Sequence, residues 1–185
     1  MESARKSIPE SASRGLKVYF QDEGRFGRMS DPVSCWAPSG IRPKLPLQRV
    51  REYTYAYSAI CPADGDVFSL LLPYSDTGIM QVFIDEFVKY LDGQPALLIM
   101  DQAPWHKSGS LRTHDTMMIA FQPPYSPELN PVEHFWEHLR EKHMSNRYWE
   151  NMDDMENELC RALRKATEDR ETIKKLSLFD WMVYV

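Results

Sequence analysis

A short run of apolar residues, PALLIM at Pro95–Met100, constrains the fold of this chain more than any other segment. Six residues without a polar side chain are too few to cross a bilayer and are typical of a strand buried on both faces. Such strands belong to sheets that carry helices on both sides. Gly93 precedes the run and Asp101 ends it. The run therefore predicts an α/β fold whose central strand ends at Asp101.

Four further segments predict the rest of a mixed sheet. Leu16–Gln21 alternates polar and apolar side chains as a strand does, and it ends at Asp22. Met117–Phe121 is a second short apolar run. Arg51–Ile60 and Asp66–Leu72 enclose the turn sequence CPADG, so together they predict a hairpin. The sequence thus combines an antiparallel hairpin with later strands that are joined by crossover connections.

Helical spacing of apolar residues follows the hairpin and the last strand. A chain of 185 residues suits one domain, so we expect a flexible arm over residues 1–15 and one domain over 16–185. The closing segment Leu176–Val185 is apolar enough to pack on the core or on a second subunit. The predicted helices are Thr77–Leu91, Asn130–Met144 and Asn151–Thr167.

Two aspartates follow predicted strands, and one glutamate begins a predicted helix. Asp22 and Asp101 occupy strand ends, where functional groups of open α/β sheets tend to gather. Glu133 is the third residue of a helix that Asn130 caps and Pro131 opens. This arrangement resembles a capping box, which gives Glu133 a purely structural role as an alternative. Either aspartate alone is equally explained by a strand or turn end.

Three carboxylates from separate segments suit a particular chemistry. Mg²⁺ prefers oxygen ligands and is usually held by one or two carboxylates together with phosphate and water. Two such ions, roughly 3.5–4 Å apart, stabilise the entering and the leaving oxygen during displacement at phosphorus. Asp22, Asp101 and Glu133 would supply the shared ligands. The residue types therefore favour a two-metal nuclease centre.

The overall charge does not favour contact with DNA. The formal net charge is -5, whereas phosphate binding needs Lys and Arg. Basic residues do cluster in the Pro-rich stretch Trp36–Val50, which predicts a loop. Arg42, Lys44 and Arg49 are therefore candidate substrate-binding residues, and a solvated loop is an equally good explanation of them.

Composition also sets expectations for location and redox state. No apolar run reaches the roughly 20 residues of a membrane span, and the first residues do not form a secretion signal, so we expect a cytoplasmic protein without membrane contact. Cys35, Cys61 and Cys160 are odd in number, widely spaced and without a CxxC pair. This argues against disulfides and a thiolate zinc site, and predicts reduced, buried thiols.

Three segments of the chain read YFQDEGRF at 19–26, LIMDQAPWH at 98–106 and PYSPELNPVEHFW at 124–136. They resemble the signature blocks of mariner-related bacterial insertion-sequence transposases, and the third block is highly specific. WAPSG at 36–40 resembles another stretch of that family, so the resemblance covers roughly residues 17–166.

The resemblance implies a ribonuclease-H-like fold, with helices around a mixed sheet, and a catalytic triad at Asp22, Asp101 and Glu133. These residues would hold two Mg²⁺ or Mn²⁺ ions, with Asp22 bridging. The implied reaction is hydrolysis at the ends of a transposon, followed by attack of the freed 3′-OH on target DNA. The implied partners are the DNA of the transposon ends, the target DNA and a second copy of the chain in an active homodimer. His106 would approach a phosphate or a metal-bound water, unless it is a structural loop histidine.

The chain departs from the family in two respects. Gln102 stands where Asn is usual after the second aspartate, and no helix-turn-helix region precedes the first block. The second departure implies that end recognition lies in a separate region, as in a split or truncated transposase. Glu23 is left out of the triad because strand alternation points it away from Asp22.

Two other functions stay open on the sequence alone. His134–His138 reads HFWEH and matches the H-x-x-E-H motif of an inverted zinc metallopeptidase. Only 47 residues follow it, which leaves little room for a third ligand and a peptide-binding domain. The other open function is that of an inactive transposase remnant that only binds DNA or self-associates.

Overall fold

The computed structural model describes residues 15–30, 32–107, 109, 111–112 and 114–182, so most of the predicted N-terminal arm lies outside it. In this part of the chain, the strands are β1 (Lys17–Met29), β2 (Arg49–Cys61), β3 (Asp66–Leu72), β4 (Ala96–Met100) and β5 (Met117–Phe121). They form one mixed sheet in the order β3-β2-β1-β4-β5. β1, β4 and β5 are parallel, whereas β2 pairs antiparallel with β1 and β3. The predicted α/β class is confirmed.

Helices cover both faces of this sheet. The predicted helices over Thr77–Leu91 and Asn151–Thr167 are confirmed to within one residue at each end. The helix predicted over Asn130–Met144 is α-helical only to Leu139, and a π-helical turn follows. The last helix was not predicted, because eight mostly polar residues show too little of a helical repeat. The helices are α1 (Thr77–Leu91), α2 (Pro131–Leu139), α3 (Met152–Glu168) and α4 (Arg170–Ser177).

The central strand β4 is buried on both faces, as its sequence predicts. Leu97 and Ile99 contribute to the core under α2, α3 and α4. Leu98 and Met100 contribute to the core under α1. Because fully burying one such side chain is worth about 1.5–3 kcal/mol, the two faces of this one strand hold both helical layers in place.

The strand that carries Asp22 is longer than predicted. β1 continues through Asp22 to Met29, paired with β2 along its length. Its pairing with β4 stops at Phe20, opposite Ile99. The prediction ended at Asp22 because Asp and Gly are poor strand formers, but pairing with β2 and burial of Phe26 override that preference. Asp22 therefore lies within a strand, just beyond the end of its parallel neighbour.

The cysteines and the closing segment are placed as follows. Cys61 is buried and Cys160 is partly buried, but Cys35 is exposed in the loop after β1, so the prediction of three buried thiols is wrong for Cys35. Leu176 and Met182 pack against the core, which confirms one of the two alternatives for this segment. Among the described residues, no helix combines the length and the apolar character needed to cross a membrane.

Candidate active site

Asp22 projects from β1 towards α2. Its Oδ2 accepts a hydrogen bond of 2.8 Å from Nε1 of Trp136. The indole reaches the strand because the intervening residue is Gly24, where a Cβ would lie 2.8 Å from the ring of Trp136. Trp136 is itself buried in the core, so it fixes the carboxylate of Asp22 relative to the helix.

The electrostatic surroundings of Asp22 disfavour its negative charge. Its pKa is raised to about 8, chiefly by burial and then by the neighbouring carboxylates of Glu133 and Glu23. The hydrogen bond from Trp136 acts in the opposite direction. A bound cation would relieve the remaining repulsion, because an opposite charge favours the ionised carboxylate.

Glu133 is positioned by the way α2 begins. The buried Asn130 caps the helix, because its Oδ1 accepts from the Val132 N–H at 3.1 Å. Its Nδ2 donates to the Gln21 carbonyl of β1 at 3.3 Å, which ties the helix start to the strand. The Asn130 N–H donates to the Pro127 carbonyl at 2.8 Å. Since that donor is occupied, the reciprocal half of a capping box is not formed, and the Glu133 side chain lines a cavity.

Asp101 directly follows β4, as predicted. Its Oδ1 accepts from the Ala103 N–H at 2.9 Å and lies 2.6 Å from Nδ1 of His106. The hydrogen bond from His106, followed by that from Ala103, lowers the pKa of Asp101 despite partial burial. The side chain is still 52% exposed, so Asp101 is an anchored carboxylate that faces open space.

His106 links Asp101 to Glu23, a residue that the sequence analysis left out. Its Nε2 lies 2.8 Å from Glu23 Oε1, which also accepts from Gln21 Nε2 at 3.1 Å. The imidazole is completely buried. Burial alone would lower the pKa of His106, but hydrogen bonds to Asp101 and Glu23 raise it to about 9. Both ring nitrogens of His106 face carboxylates in this structure, and its approach to a phosphate or a metal-bound water stays a prediction.

The sequence contained one signal for Glu23: it follows Asp22 directly in the first block, and the second block ends in a histidine, His106, that could pair with it. Strand alternation does send its side chain to the other face of β1, as predicted. That face is the one on which His106 lies. Both faces of β1 thus contribute to the same site: Asp22 lines the cavity directly, and Glu23 acts through the imidazole of His106 on Asp101.

We expect His106→Asn to raise the Mg²⁺ concentration needed for half-maximal nuclease activity by roughly 10–100-fold, because groups that orient metal ligands are worth about that much in metal affinity. The measurement is the Mg²⁺ concentration that gives half-maximal nicking of duplex DNA, with Glu23→Gln changing it in the same direction. His114→Asn is the matched control, since His114 pairs with Asp85 at 3.0 Å outside the cavity. Equal Mg²⁺ dependence in all four proteins would contradict the supporting role.

The same contact has a stability consequence whose sign is fixed by the raised pKa. The folded protein binds the His106 proton more tightly than the unfolded chain, so the contribution is fully present below pH 6.5 and is lost as the pH rises through about 9. The melting temperature of wild type should therefore exceed that of His106→Asn most clearly at pH 6. The gap should shrink by pH 9.

The three predicted carboxylates line one cavity of about 440 Å³. Asp22 comes from the middle of β1, Asp101 from the end of β4 and Glu133 from the start of α2. Lys107 lines the same cavity and adds a positive charge. Gln102, which replaces the usual Asn, donates to the Gln122 carbonyl at 2.8 Å and so joins the segments after β4 and β5.

The donor set fits a hard divalent cation. Carboxylate oxygens are the ligands that Mg²⁺ and Mn²⁺ prefer, and the mutual repulsion at Asp22 calls for positive charge. Within the described part of the chain, however, no three His, Cys, Asp or Glu side chains are close enough to hold one ion. An ion shared by all three carboxylates would require them to lie closer together than they do here.

The candidate basic residues lie outside this cavity. Arg42 and Lys44 are exposed in the loop before β2, and Arg49 is exposed at the start of that strand. None of the three lines the cavity of the carboxylates. A role in substrate binding stays a prediction for them.

The two histidines of the H-x-x-E-H motif contact different surroundings. His134 is exposed, its Nδ1 lies 3.2 Å from the Leu176 carbonyl, and its ring packs on Phe179. His138 lines a separate cavity against α3 and α4. With no metal-binding cluster among the described residues, the structure gives the zinc-peptidase alternative no support.

The family follows from comparison with known proteins. The model of the family described as DDE superfamily endonuclease matches residues 17–156, which include all three carboxylates. The chain belongs to this family. A curated protein of Sinorhizobium fredii (strain NBRC 101917 / NGR234), named uncharacterized protein y4pE/y4sA, is 38% identical to this DDE endonuclease over 130 residues. That match covers 70% of the chain and 96% of the relative.

Solved structures show that the DDE endonuclease domain has the predicted ribonuclease-H-like fold. The Mos1 strand transfer complex has a TM-score of 0.61 at 15% identity, over 96% of this chain and 58% of the other. The Mos1 mariner paired end complex with Mn has a TM-score of 0.61 at 15% identity, over 96% and 59%. The simian T-cell lymphotropic virus intasome has a TM-score of 0.54 at 14% identity, over 80% and 46%. The chain thus spans about six tenths of the Mos1 chains.

Proposed function

We propose that this DDE endonuclease domain cuts DNA at transposon ends and joins the freed 3′-OH to target DNA, with Asp22, Asp101 and Glu133 as the catalytic residues. The observation that carries the proposal is the convergence of these carboxylates, from three separate elements, on one cavity. The contacts of Trp136 with Asp22 and of His106 with Asp101 support it, because both orient a carboxylate from a buried position.

In this mechanism the protein acts by positioning and by neutralising charge. Asp22 and Asp101 would hold the metal as ligands, and Glu133 would be a ligand of the second ion. Bound Mg²⁺ or Mn²⁺ would supply charge stabilisation at the phosphate and lower the pKa of an attacking water. Trp136 holds Asp22 on one side, and His106 holds Asp101 on the other. Lys107 is placed to neutralise a phosphate that enters the cavity.

The proposed partners are DNA and a second copy of the chain. Mos1 is described in paired end and strand transfer complexes, and in a paired end complex with Mg. Since the likeness to Mos1 is at 15% identity, it establishes the fold, and these partners are extended here by inference. We infer that a separate helix-turn-helix region recognises transposon ends, and that two copies act together on paired ends.

A crystal structure of the protein soaked in Mn²⁺ tests the proposed centre directly. Anomalous density between Asp22, Asp101 and Glu133, with carboxylate oxygens at about 2.0–2.2 Å, is the expected result. Density at His134 and His138 instead would favour the zinc peptidase. Carboxylates that stay more than about 10 Å apart in saturating Mn²⁺ would refute a shared two-metal centre and indicate an inactive remnant.

A further inference from the structure

A second concave surface lies further along β1 and holds an excess of positive charge. It has a volume of about 630 Å³. Among the described residues that line it there is one carboxylate, that of Glu52, which already pairs with Arg28 at 2.6 Å. This excess is notable in a chain whose formal net charge is -5. We call this surface the arginine groove, after its four arginines Arg25, Arg51, Arg140 and Arg147.

The groove is connected to the carboxylate cavity by two independent elements. Along β1, Arg25 is three residues beyond Asp22, about 10 Å of extended strand, and its side chain leaves the opposite face of β1, past the point where β4 stops pairing. Along α2 and the turn after it, Arg140 is seven residues beyond Glu133, which again corresponds to about 10 Å. A strand and a helix that each carry a catalytic carboxylate therefore lead to the same basic surface.

Aromatic rings hold two of the guanidinium groups. Arg25 lies over the ring of Tyr53, with 5.0 Å from Cζ to the ring centroid. Arg140 lies over the ring of Phe26 at 5.2 Å. Stacking leaves the N–H groups at the edge of the guanidinium free to bind phosphate oxygens, and it reduces the flexibility that binding must remove.

The remaining two arginines differ in their neighbours. Arg147 stacks on Trp149 at 5.7 Å and also pairs with Glu158 at 3.2 Å, so its charge is partly compensated. Arg51 is exposed at the rim. In the part of the groove that the structure describes, three guanidinium groups are thus not matched by its one carboxylate, which is already paired with Arg28.

We propose that the arginine groove binds the sugar-phosphate backbone of the DNA strand that enters or leaves the carboxylate cavity. The inference rests on the proposed function. DNA carries one phosphate per 3.4 Å of helix axis on each strand, so a separation of about 10 Å places the groove about three nucleotides from the scissile phosphate. Planar guanidinium groups bind phosphate through paired hydrogen bonds and without sequence preference. The groove, rather than the loop with Arg42 and Lys44, is then the main DNA contact of this domain.

The test measures binding without cleavage. The protein is titrated into a fluorescently labelled 30-base-pair duplex in EDTA, and anisotropy is recorded at several NaCl concentrations. Arg25→Gln/Arg51→Gln and Arg140→Gln are each expected to weaken binding about 10-fold or more at low salt. The slope of log affinity against log salt should fall by about one for each arginine removed. Circular dichroism and melting curves check the fold of each variant.

Two matched variants make the result specific. Arg164→Gln removes an exposed arginine from α3, outside the groove, and Arg42→Gln/Lys44→Gln removes the charges of the loop. Arg164→Gln is expected to bind within about twofold of wild type, and the loop variant is expected to lose less affinity than either groove variant. If the folded groove variants bind as wild type does, or if the loop variant loses more affinity than they do, the proposal is overturned.

The same titration separates this inference from the proposed function. Asp101→Asn is expected to bind the duplex at least as tightly as wild type in EDTA, because Asp101 lies outside the groove and its loss removes a negative charge near the DNA. Groove-dependent binding by a protein that never cuts DNA would uphold the groove and refute the nuclease. Cleavage that is unaffected by the groove substitutions would uphold the nuclease and refute the groove. If an acidic peptide binds the groove and leaves DNA binding unaffected, the groove is a protein-docking surface and not a DNA site, and the proposal fails.

Discussion

Asp101→Asn is expected to reduce Mg²⁺-dependent cleavage of duplex DNA by roughly 10³-fold or more, while the protein keeps its fold. The substitution removes a charged metal ligand from the cavity that also contains Asp22 and Glu133. A metal-bound transition state is stabilised by several kcal/mol, and about 4 kcal/mol corresponds to roughly 10³-fold in rate. Nicking of a supercoiled plasmid, followed over time with Mg²⁺ and with Mn²⁺, measures the effect.

The controls for this loss are chosen from the same chain. Asp115→Asn removes an exposed aspartate before β5, and Glu137→Gln removes an exposed glutamate one turn after Glu133 on α2. Neither residue lines the cavity, so both variants should keep nearly full activity. Cleavage by Asp101→Asn at the wild-type rate would show that the carboxylates on this cavity do not form the catalytic centre.

Asp22→Asn is expected to abolish cleavage and, at the same time, to stabilise the metal-free protein. Burial and the carboxylates of Glu133 and Glu23 oppose the charge of Asp22, whereas a neutral amide can still accept the hydrogen bond of Trp136. Removing that charge should add about 2 kcal/mol near pH 8, which raises the melting temperature by roughly 5 °C in a protein of this size. Catalytic sites often carry such a stability cost.

The pH dependence of this gain follows from the raised pKa. Between the ordinary value of 3.8 and about 8, folded Asp22 binds more protons than the unfolded chain, so wild-type stability falls as the pH rises through that window. The melting-temperature difference between Asp22→Asn and wild type should therefore be small at pH 4 and largest near pH 8. Scanning calorimetry in EDTA measures it, with Asp115→Asn as the control.

Added Mn²⁺ supplies the complementary observation. A ligand that binds only the folded state raises its stability in proportion to the logarithm of ligand concentration. Wild type should gain stability from millimolar Mn²⁺, and Asp22→Asn should not. An Asp22→Asn protein that melts below wild type at every pH from 4 to 8 would show that the carboxylate is stabilising, contrary to the surroundings described above.

The order of elements could be predicted because each signal was local. The apolar run of β4, the alternation at the start of β1 and the helical spacing of α1 and α3 each lie within one short segment. The same holds for Asp101, which directly follows β4. The mixed sheet and its flanking helices then follow from burial rules that depend on side-chain pattern.

The length of β1 could not be predicted, because partner strands decide it. Asp22, Glu23 and Gly24 are poor strand formers, yet β2 pairs with them one by one. The capping role of Glu133 was likewise open on the sequence. It was decided by the Pro127 carbonyl, which occupies the Asn130 N–H that a capping box would use.

The sequence by itself determined the fold class, the family blocks and the positions of three carboxylates. The folded structure was needed to show that these carboxylates share a cavity, and that His106 joins Asp101 to Glu23, which lies 83 positions before His106. It also decided where positive charge collects, in a groove drawn from β1, β2 and the turn after α2 rather than in the basic loop. The reason is physical: periodicity reports which face a side chain occupies, whereas contacts between distant segments depend on how those faces pack.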